Sequence, residues 1–276
     1  MGFFLINKVN KYLYRMTEIQ CINGCCLEIL SILPDKCVDL FLCDLPYGCL
    51  DGGGGKEKKK RAENGNSGII VTGGCPWDVK IDLEKFWIEV KRLCKNDNTP
   101  VLMFCNTRFG FDLIKSNPDW FRYDIVWNKN CGTNFLLANK QPMQSHEMIY
   151  VFSKKGAFYN RIDHAVVGKG ACGGGTGARA GLCFGGEVVR KDNSRDNNMR
   201  CPVSVIDFAK SKDKRHPTSK PVDLLKWLIE RYSNEGDYVI DPTAGSFNSG
   251  RACIELNRNY IGIELDADFY EKNKID

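Results

Sequence analysis

Apolar residues return along this chain with two different spacings. Residues 37–43 form a short apolar run broken only at Asp39 and closed by Asp44-Leu45-Pro46-Tyr47-Gly48, the pattern of a buried strand ending at a turn. Leu83, Phe86, Trp87, Val90, Leu93 and Cys94 recur every three or four positions behind Asp82, which predicts a helix with Asp82 as its N-cap. Residues 100–105 predict a second buried strand, 109–116 a short helix, and 123–127 and 146–152 further strands. The pattern then lapses: residues 156–212 hold no sustained period, and nine of the nineteen residues 168–186 are Gly. Order returns at Pro221, behind which Leu224, Leu225, Leu228, Ile229 and Tyr232 stripe a helix that stops before Gly236. A strand at 237–241, a turn at 241–250 opening a helix with Ala252, Cys253 and Leu256, and a strand at 259–264 complete the reading.

Buried strands alternating with helices at both ends of the chain predict an α/β fold, a mostly parallel sheet with helices on both faces. The lapse divides it into a first part of one domain at 1–155, an inserted irregular region at 156–212, and the rest of the same domain at 213–276. Residues 51–68, rich in Gly and Lys, predict a polar loop between the first strand and the first helix.

Charge sharpens this picture. The net charge is +5, but residues 154–220 carry 14 Lys/Arg against 6 Asp/Glu and residues 51–61 carry 5 against 2, so the remaining chain is acidic. Two basic segments on an acidic body suit a protein that grips a polyanion. No apolar run approaches the roughly 20 residues of a membrane helix, and the amino terminus has neither a signal-peptide core nor a myristoylation pattern, which predicts a cytoplasmic protein with no membrane partner. The 14 cysteines contain no CxxC pair and read as reduced core thiols, with no metal.

Two stretches carry candidate chemistry. At residues 239–256 a strand, a small-residue turn with Gly245 and a helix are followed about 20 residues later by Glu264 at the tip of the next strand. Gly245 lets the backbone approach a ligand, the helix start offers N–H groups, and Glu264 suits the two hydroxyls of a ribose, so the spacing points to an adenosine-containing cofactor. At Asp44, Leu45, Pro46 and Tyr47 a carboxylate, a carbonyl stiffened by the following proline, and an aromatic face address one spot, which fits a planar heterocycle bearing an amino group.

With both stretches read, the chain resembles the DNA N6-adenine/N4-cytosine methyltransferase family in its circularly permuted β-type order. Asp44-Leu45-Pro46-Tyr47 comes first, residues 216–221 (His-Pro-Thr-Ser-Lys-Pro) and Asp241-Pro242-Thr243-Ala244-Gly245 come last, and the resemblance runs from 22 to 266. Trp127-Asn128-Lys129, residues 139–142 and His146-Glu147-Met148-Ile149 are similar to intermediate segments of such enzymes. The resemblance implies a Rossmann-like fold and S-adenosylmethionine held by Asp241, Thr243, Ala244, Gly245 and Ser246. It also implies Glu264 on the ribose, and Thr218, Ser219 and Lys220 near the methionine part. Asp44 and the Leu45 carbonyl would accept the hydrogens of an exocyclic amine, turning its lone pair towards the sulfonium methyl. Tyr47 would stack on a base flipped out of double-stranded DNA.

Lys56, Lys58, Lys59, Lys60 and Arg61 are then expected to clamp phosphates, and residues 156–212, with Arg179, Arg190 and Arg195, to recognise the target sequence. A second copy of the chain and a cognate restriction endonuclease are the protein partners the resemblance suggests. Asp at the head of the motif leans towards adenine N6. Cytosine N4, an RNA or protein amine acceptor, and a catalytically silent DNA-binding relative are the alternatives. Three positions depart from the family pattern: Leu45 replaces a proline, Phe247 a glycine and Cys25 an acid. The reading requires that Asp44 and Gly245, some two hundred positions apart, line one cleft.

Overall fold

Strands that are apolar at every position need cover on both faces, and this requirement organises the molecule. The computed structural model describes residues 18–48, 78–133, 135–165, 199–211 and 218–275. In chain order its elements are β1 (Ile19–Asn23), α1 (Cys26–Ile32), β2 (Leu40–Cys43), α2 (Leu83–Leu93), β3 (Val101–Cys105) and α3 (Thr107–Ser116). The long strands β4 (Phe121–Thr133) and β5 (Gln144–Phe152) and the short β6 (His164–Ala165), β7 (Met199–Arg200) and β8 (Val205–Asp207) follow. The chain closes with α4 (Val222–Tyr232), β9 (Tyr238–Asp241), α5 (Asn248–Glu255), β10 (Asn259–Glu264) and α6 (Ala267–Asn273).

Eight of these strands form one sheet in the order β1-β10-β9-β2-β3-β5-β4-β8. Only β5 runs against its neighbours β3 and β4; the other five pairings are parallel. Side chains alternate between two apolar layers as a pleated strand demands. Phe41, Cys43, Val101, Met103 and Cys105 enter one layer with Leu30 of α1, Phe86 of α2 and Phe109 of α3. Leu40, Leu42, Leu102 and Phe104 enter the other with Leu224 and Leu228 of α4 and Cys253 of α5. The expected sheet with helices on both faces is thus observed.

Local signals hold where they have a mechanism. Asp82 accepts from the backbone N–H of Glu84 and Lys85 at the start of α2, and Asn106 caps α3 through Phe109 N. The pattern of apolar positions does not predict six of the described elements: β1, α1, β6, β7, β8 and α6.

The described chain falls into two compact units, Met1–Asn160 with Ser204–Asp276, and Arg161–Val203. In the second, β6 and β7 pair antiparallel, His164 opposite Arg200. Residues 204–207, assigned by composition to the irregular insertion, instead extend the main sheet: β8 pairs parallel with β4, and Ile206 is buried. Three residues are too short a run to show a strand period.

Candidate active site

From β2 the chain passes through α2 to β3 on one side, whereas from β9 it passes through α5 to β10 on the other. The direction of winding therefore reverses between β2 and β9, which are parallel neighbours with Leu40 opposite Val239 and Phe41 opposite Ile240. A sheet opens a crevice at such a reversal, beyond the carboxyl ends of its strands. There a cavity of about 1710 Å³ is lined by Asp44, Tyr47, Lys220, Asp241, Gly245 and Glu264, among others. Leu45, Pro46, Thr218, Ser219, Thr243, Ala244 and Ser246 line it too. Every described residue of the expected catalytic and cofactor sets meets in this one space.

Beyond β2, Asp44 is a quarter exposed and both its oxygens are engaged. Tyr47 Oη donates to Oδ1 at 3.1 Å, and Lys220 Nζ donates to Oδ2 at 2.6 Å. The Tyr47 ring stacks on Phe109 with centroids 5.1 Å apart, and burial, then the Asp44 charge, pushes its phenol well above the usual range. Leu45, where the family pattern has proline, is buried and lines the cavity. Asp78, a residue that carried no sequence signal, accepts from Gly48 N at 2.9 Å and fixes the end of the turn.

Lys220 sits just before α4, whose N-cap is Pro221. It is not the solvated helix-start lysine that its position alone suggests: only 9% of its side chain is exposed. Its ammonium lies 2.6 Å from Asp44 Oδ2 and 3.4 Å from Glu147 Oε2, so the structure directs it at carboxylates rather than leaving it open to a ligand. Burial works against its charge, and the two carboxylates more than reverse this, holding the ammonium pKa above its ordinary value.

At the last position of β9, Asp241 is buried and accepts from neutral donors. Ser249 Oγ donates to Oδ2 at 2.6 Å and Thr243 N to Oδ1 at 3.1 Å. Burial pushes this carboxyl up to about 7 against those two hydrogen bonds. Gly245 adopts φ +50°, a conformation that disfavours a side chain, and its N–H donates to Glu264 Oε2 at 2.8 Å. Asp266 N donates to the other Glu264 oxygen at 2.8 Å. Burial raises the Glu264 carboxyl, and these backbone donors oppose the rise.

Phe247, the bulky residue in the cofactor turn, points away from the cavity. It is fully buried in the layer under α4 and α5, edge-on to Tyr270 at 6.1 Å. Its φ of +53° explains the family's preference for glycine there: the turn needs a left-handed residue, and here ring burial offsets a strain of about 1–2 kcal/mol. Cys25 lines the cavity at the N-cap of α1 without a capping hydrogen bond. Lys56, Lys58, Lys59, Lys60, Arg61, Arg179, Arg190 and Arg195, with the loop expected at 51–68, lie outside the described residues. Among the described residues no group of acidic, Cys and His side chains is placed to hold a metal ion, and no helix is long and apolar enough to cross a membrane.

The DNA methylase family model of the N6/N4 type matches residues 38–274. The chain belongs to this family. It is an S-adenosylmethionine-dependent DNA methyltransferase. Among curated proteins it is 28% identical over 259 residues to DNA adenine methyltransferase YhdJ of Escherichia coli K12, covering 90% of this chain and 79% of that one. It is 27% identical over 266 residues to type II methyltransferase M2.MboI of Moraxella bovis, covering 91% and 85%. Two solved structures share its fold. An M1.HpyAVI–SAM complex matches with a TM-score of 0.54 at 20% identity, over 92% of this chain and 97% of that one. The cytosine-N4-specific PvuII DNA methyltransferase matches with 0.58 at 13%, over 95% and 88%. The Rossmann-like architecture of the methyltransferase is thus shared across low sequence identity.

The cavity fits the cofactor on its own terms. Thr243 Oγ1 is a buried hydroxyl with no hydrogen-bond partner among the described residues, a polar atom at the wall awaiting a ligand. Gly245 and Glu264 line the same cavity, and Glu264 retains acceptor capacity beyond its two backbone donors. Glu147 on β5 and Lys129 on β4 also line the cavity, and neither had a role from sequence. Neither stands out along the chain, because β4 also carries Arg122, Asp124 and Asn128 and Glu147 follows the polar run Gln144-Ser145-His146; near-complete burial of Lys129 is what marks the pair.

Proposed function

We propose that the enzyme methylates the N6 amino group of adenine in double-stranded DNA, with Asp44, Leu45, Pro46 and Tyr47 forming the amine pocket. The carrying observation is the meeting of the Asp44 turn and the Asp241 turn in one cavity at the ends of parallel neighbours β2 and β9. Asp at the head of the motif favours adenine, as does the likeness to a protein named a DNA adenine methyltransferase.

The exocyclic amine of a base is a poor nucleophile because its lone pair is delocalised into the ring. Asp44 and the Leu45 carbonyl accept its two hydrogens, the nitrogen pyramidalises, and its lone pair is aimed along the line of displacement. S-adenosylmethionine supplies an activated methyl on a sulfonium, so the protein needs no covalent intermediate. Thr218, Ser219, Asp241, Thr243, Ala244, Gly245, Ser246 and Glu264 hold it, with Glu264 on the ribose, and Lys220 stands where the amine and the cofactor meet. Tyr47 stacks on the base, which must leave the duplex to reach the pocket.

Residues 156–212 and the basic loop around Lys56 and Arg61 serve target recognition and phosphate contact, supported by their charge balance. A restriction endonuclease partner is supported by relatives named type II methyltransferases, and a homodimer and a cytoplasmic location complete the proposal. Incubating the enzyme with mixed-sequence DNA and labelled S-adenosylmethionine, followed by nucleoside analysis, tests it. N6-methyladenine is expected; N4-methylcytosine overturns the base assignment, and label entering RNA or protein in place of DNA overturns the substrate.

A further inference from the structure

Four segments send charged side chains to one wall of the cavity, and the charges alternate in sign. Asp44 follows β2, Lys220 precedes α4, Glu147 lies on β5 and Lys129 on β4. The contacts run Asp44 to Lys220 at 2.6 Å, Lys220 to Glu147 at 3.4 Å, and Glu147 to Lys129 at 3.0 Å. Both lysines are nearly buried, with 9% and 5% of their side chains exposed. Lys220 is fixed further by Asn248 Nδ2, which donates to its carbonyl at 2.9 Å, and by the Phe104 ring, 5.0 Å from its ammonium.

A lysine is a compact charge on a flexible four-carbon stem, and one carboxylate does not set its direction. With Glu147 as a second carboxylate within 3.4 Å the ammonium has two anchors, and Lys129 in turn balances Glu147. Burial raises the Glu147 carboxyl, and Lys220 and Lys129 bring it below its ordinary range, so it remains an anion.

We propose that Glu147 and Lys129 are positioning residues for methyl transfer, holding Lys220 against Asp44 so that the Asp44 carboxylate keeps one orientation towards the target amine. This rests on the reading of Asp44 as the amine acceptor. Glu147 reaches the reaction only through Lys220, so its loss misdirects the acceptor without touching the cofactor turn around Gly245.

The test compares wild type, Asp44→Ala, Glu147→Gln, Glu147→Asp and the double variant Lys129→Met/Glu147→Gln, measuring kcat on DNA, the Kd for S-adenosylmethionine and Tm. Glu147→Gln is expected to lower kcat by up to about 100-fold with the cofactor Kd within twofold of wild type. Glu147→Asp, which keeps the charge, recovers part of that loss, and the double variant is no slower than Glu147→Gln alone because Lys129 acts through Glu147. An unchanged kcat in folded Glu147→Gln overturns the inference, as does a loss confined to Tm or to cofactor Kd. If Glu147→Gln does not fold, the kcat of Glu147→Asp decides: wild-type turnover there, with the anchor shortened by one methylene, overturns it. Full turnover in Asp44→Ala, by contrast, overturns the underlying reading of Asp44 whatever the Glu147 variants do.

Discussion

Asp44 and Asp241 stand at the carboxyl ends of adjacent parallel strands and line the same cavity, yet their carboxyl groups are held in opposite ways. Asp44 has a cation at 2.6 Å and a phenol at 3.1 Å. Asp241 is held by a hydroxyl and a backbone N–H, and burial drives its pKa to about 7. The difference teaches that position at the sheet edge does not assign a role. One carboxylate is tied to an ammonium and a phenol at the cavity wall, whereas the other is buried on neutral donors and braces its own turn through Thr243 N.

The largest expected effect breaks the comparison on the Asp44 side. Asp44→Ala is predicted to lower kcat by about 10²–10³-fold while the S-adenosylmethionine Kd, measured calorimetrically, stays within a few-fold of wild type. A rise in Kd equal to the loss in kcat would place Asp44 in the cofactor site instead. The converse variant, Glu264→Ala, removes acceptors worth about 1.5–3 kcal/mol and is predicted to raise that Kd about 10–100-fold, with kcat at saturating cofactor much less affected.

Asp241 is tested through pH. Its folded pKa of about 7 exceeds the unfolded value of about 3.9, so the stability it contributes is complete below about pH 4 and is lost as pH rises through 7. Chemical denaturation between pH 5 and 8 is predicted to show wild type losing stability with pH, and Asp241→Asn losing less across the same range. Parallel slopes for the two proteins would refute a buried, raised Asp241. The smallest effect concerns the end of the same turn. Phe247→Ala costs about 3–5 kcal/mol of buried ring, and Phe247→Gly is predicted to be less destabilised than Phe247→Ala by about 1 kcal/mol, because glycine relieves the left-handed backbone.

Local sequence was sufficient for the elements that bury a full stripe or a full run: α2 behind its Asp82 cap, α4 behind Pro221, and the apolar strands β2, β3, β9 and β10. It also supplied both halves of the site, because a turn closing a strand needs particular residues and these are written contiguously. It did not supply the short elements β1, α1, β6, β7, β8 and α6, each seven residues or fewer, nor the burial of the Phe247 ring in the core.

What the sequence determined by itself was the alternation of strands and helices, the two chemical motifs and their order, since each depends on neighbours along the chain. Which carboxylate meets which cation was decided only by the tertiary structure. Asp44, Lys129, Glu147 and Lys220 come together because β2, β4, β5 and the start of α4 converge at one edge of the sheet, and ion pairing acts over a few ångströms of space however many residues intervene.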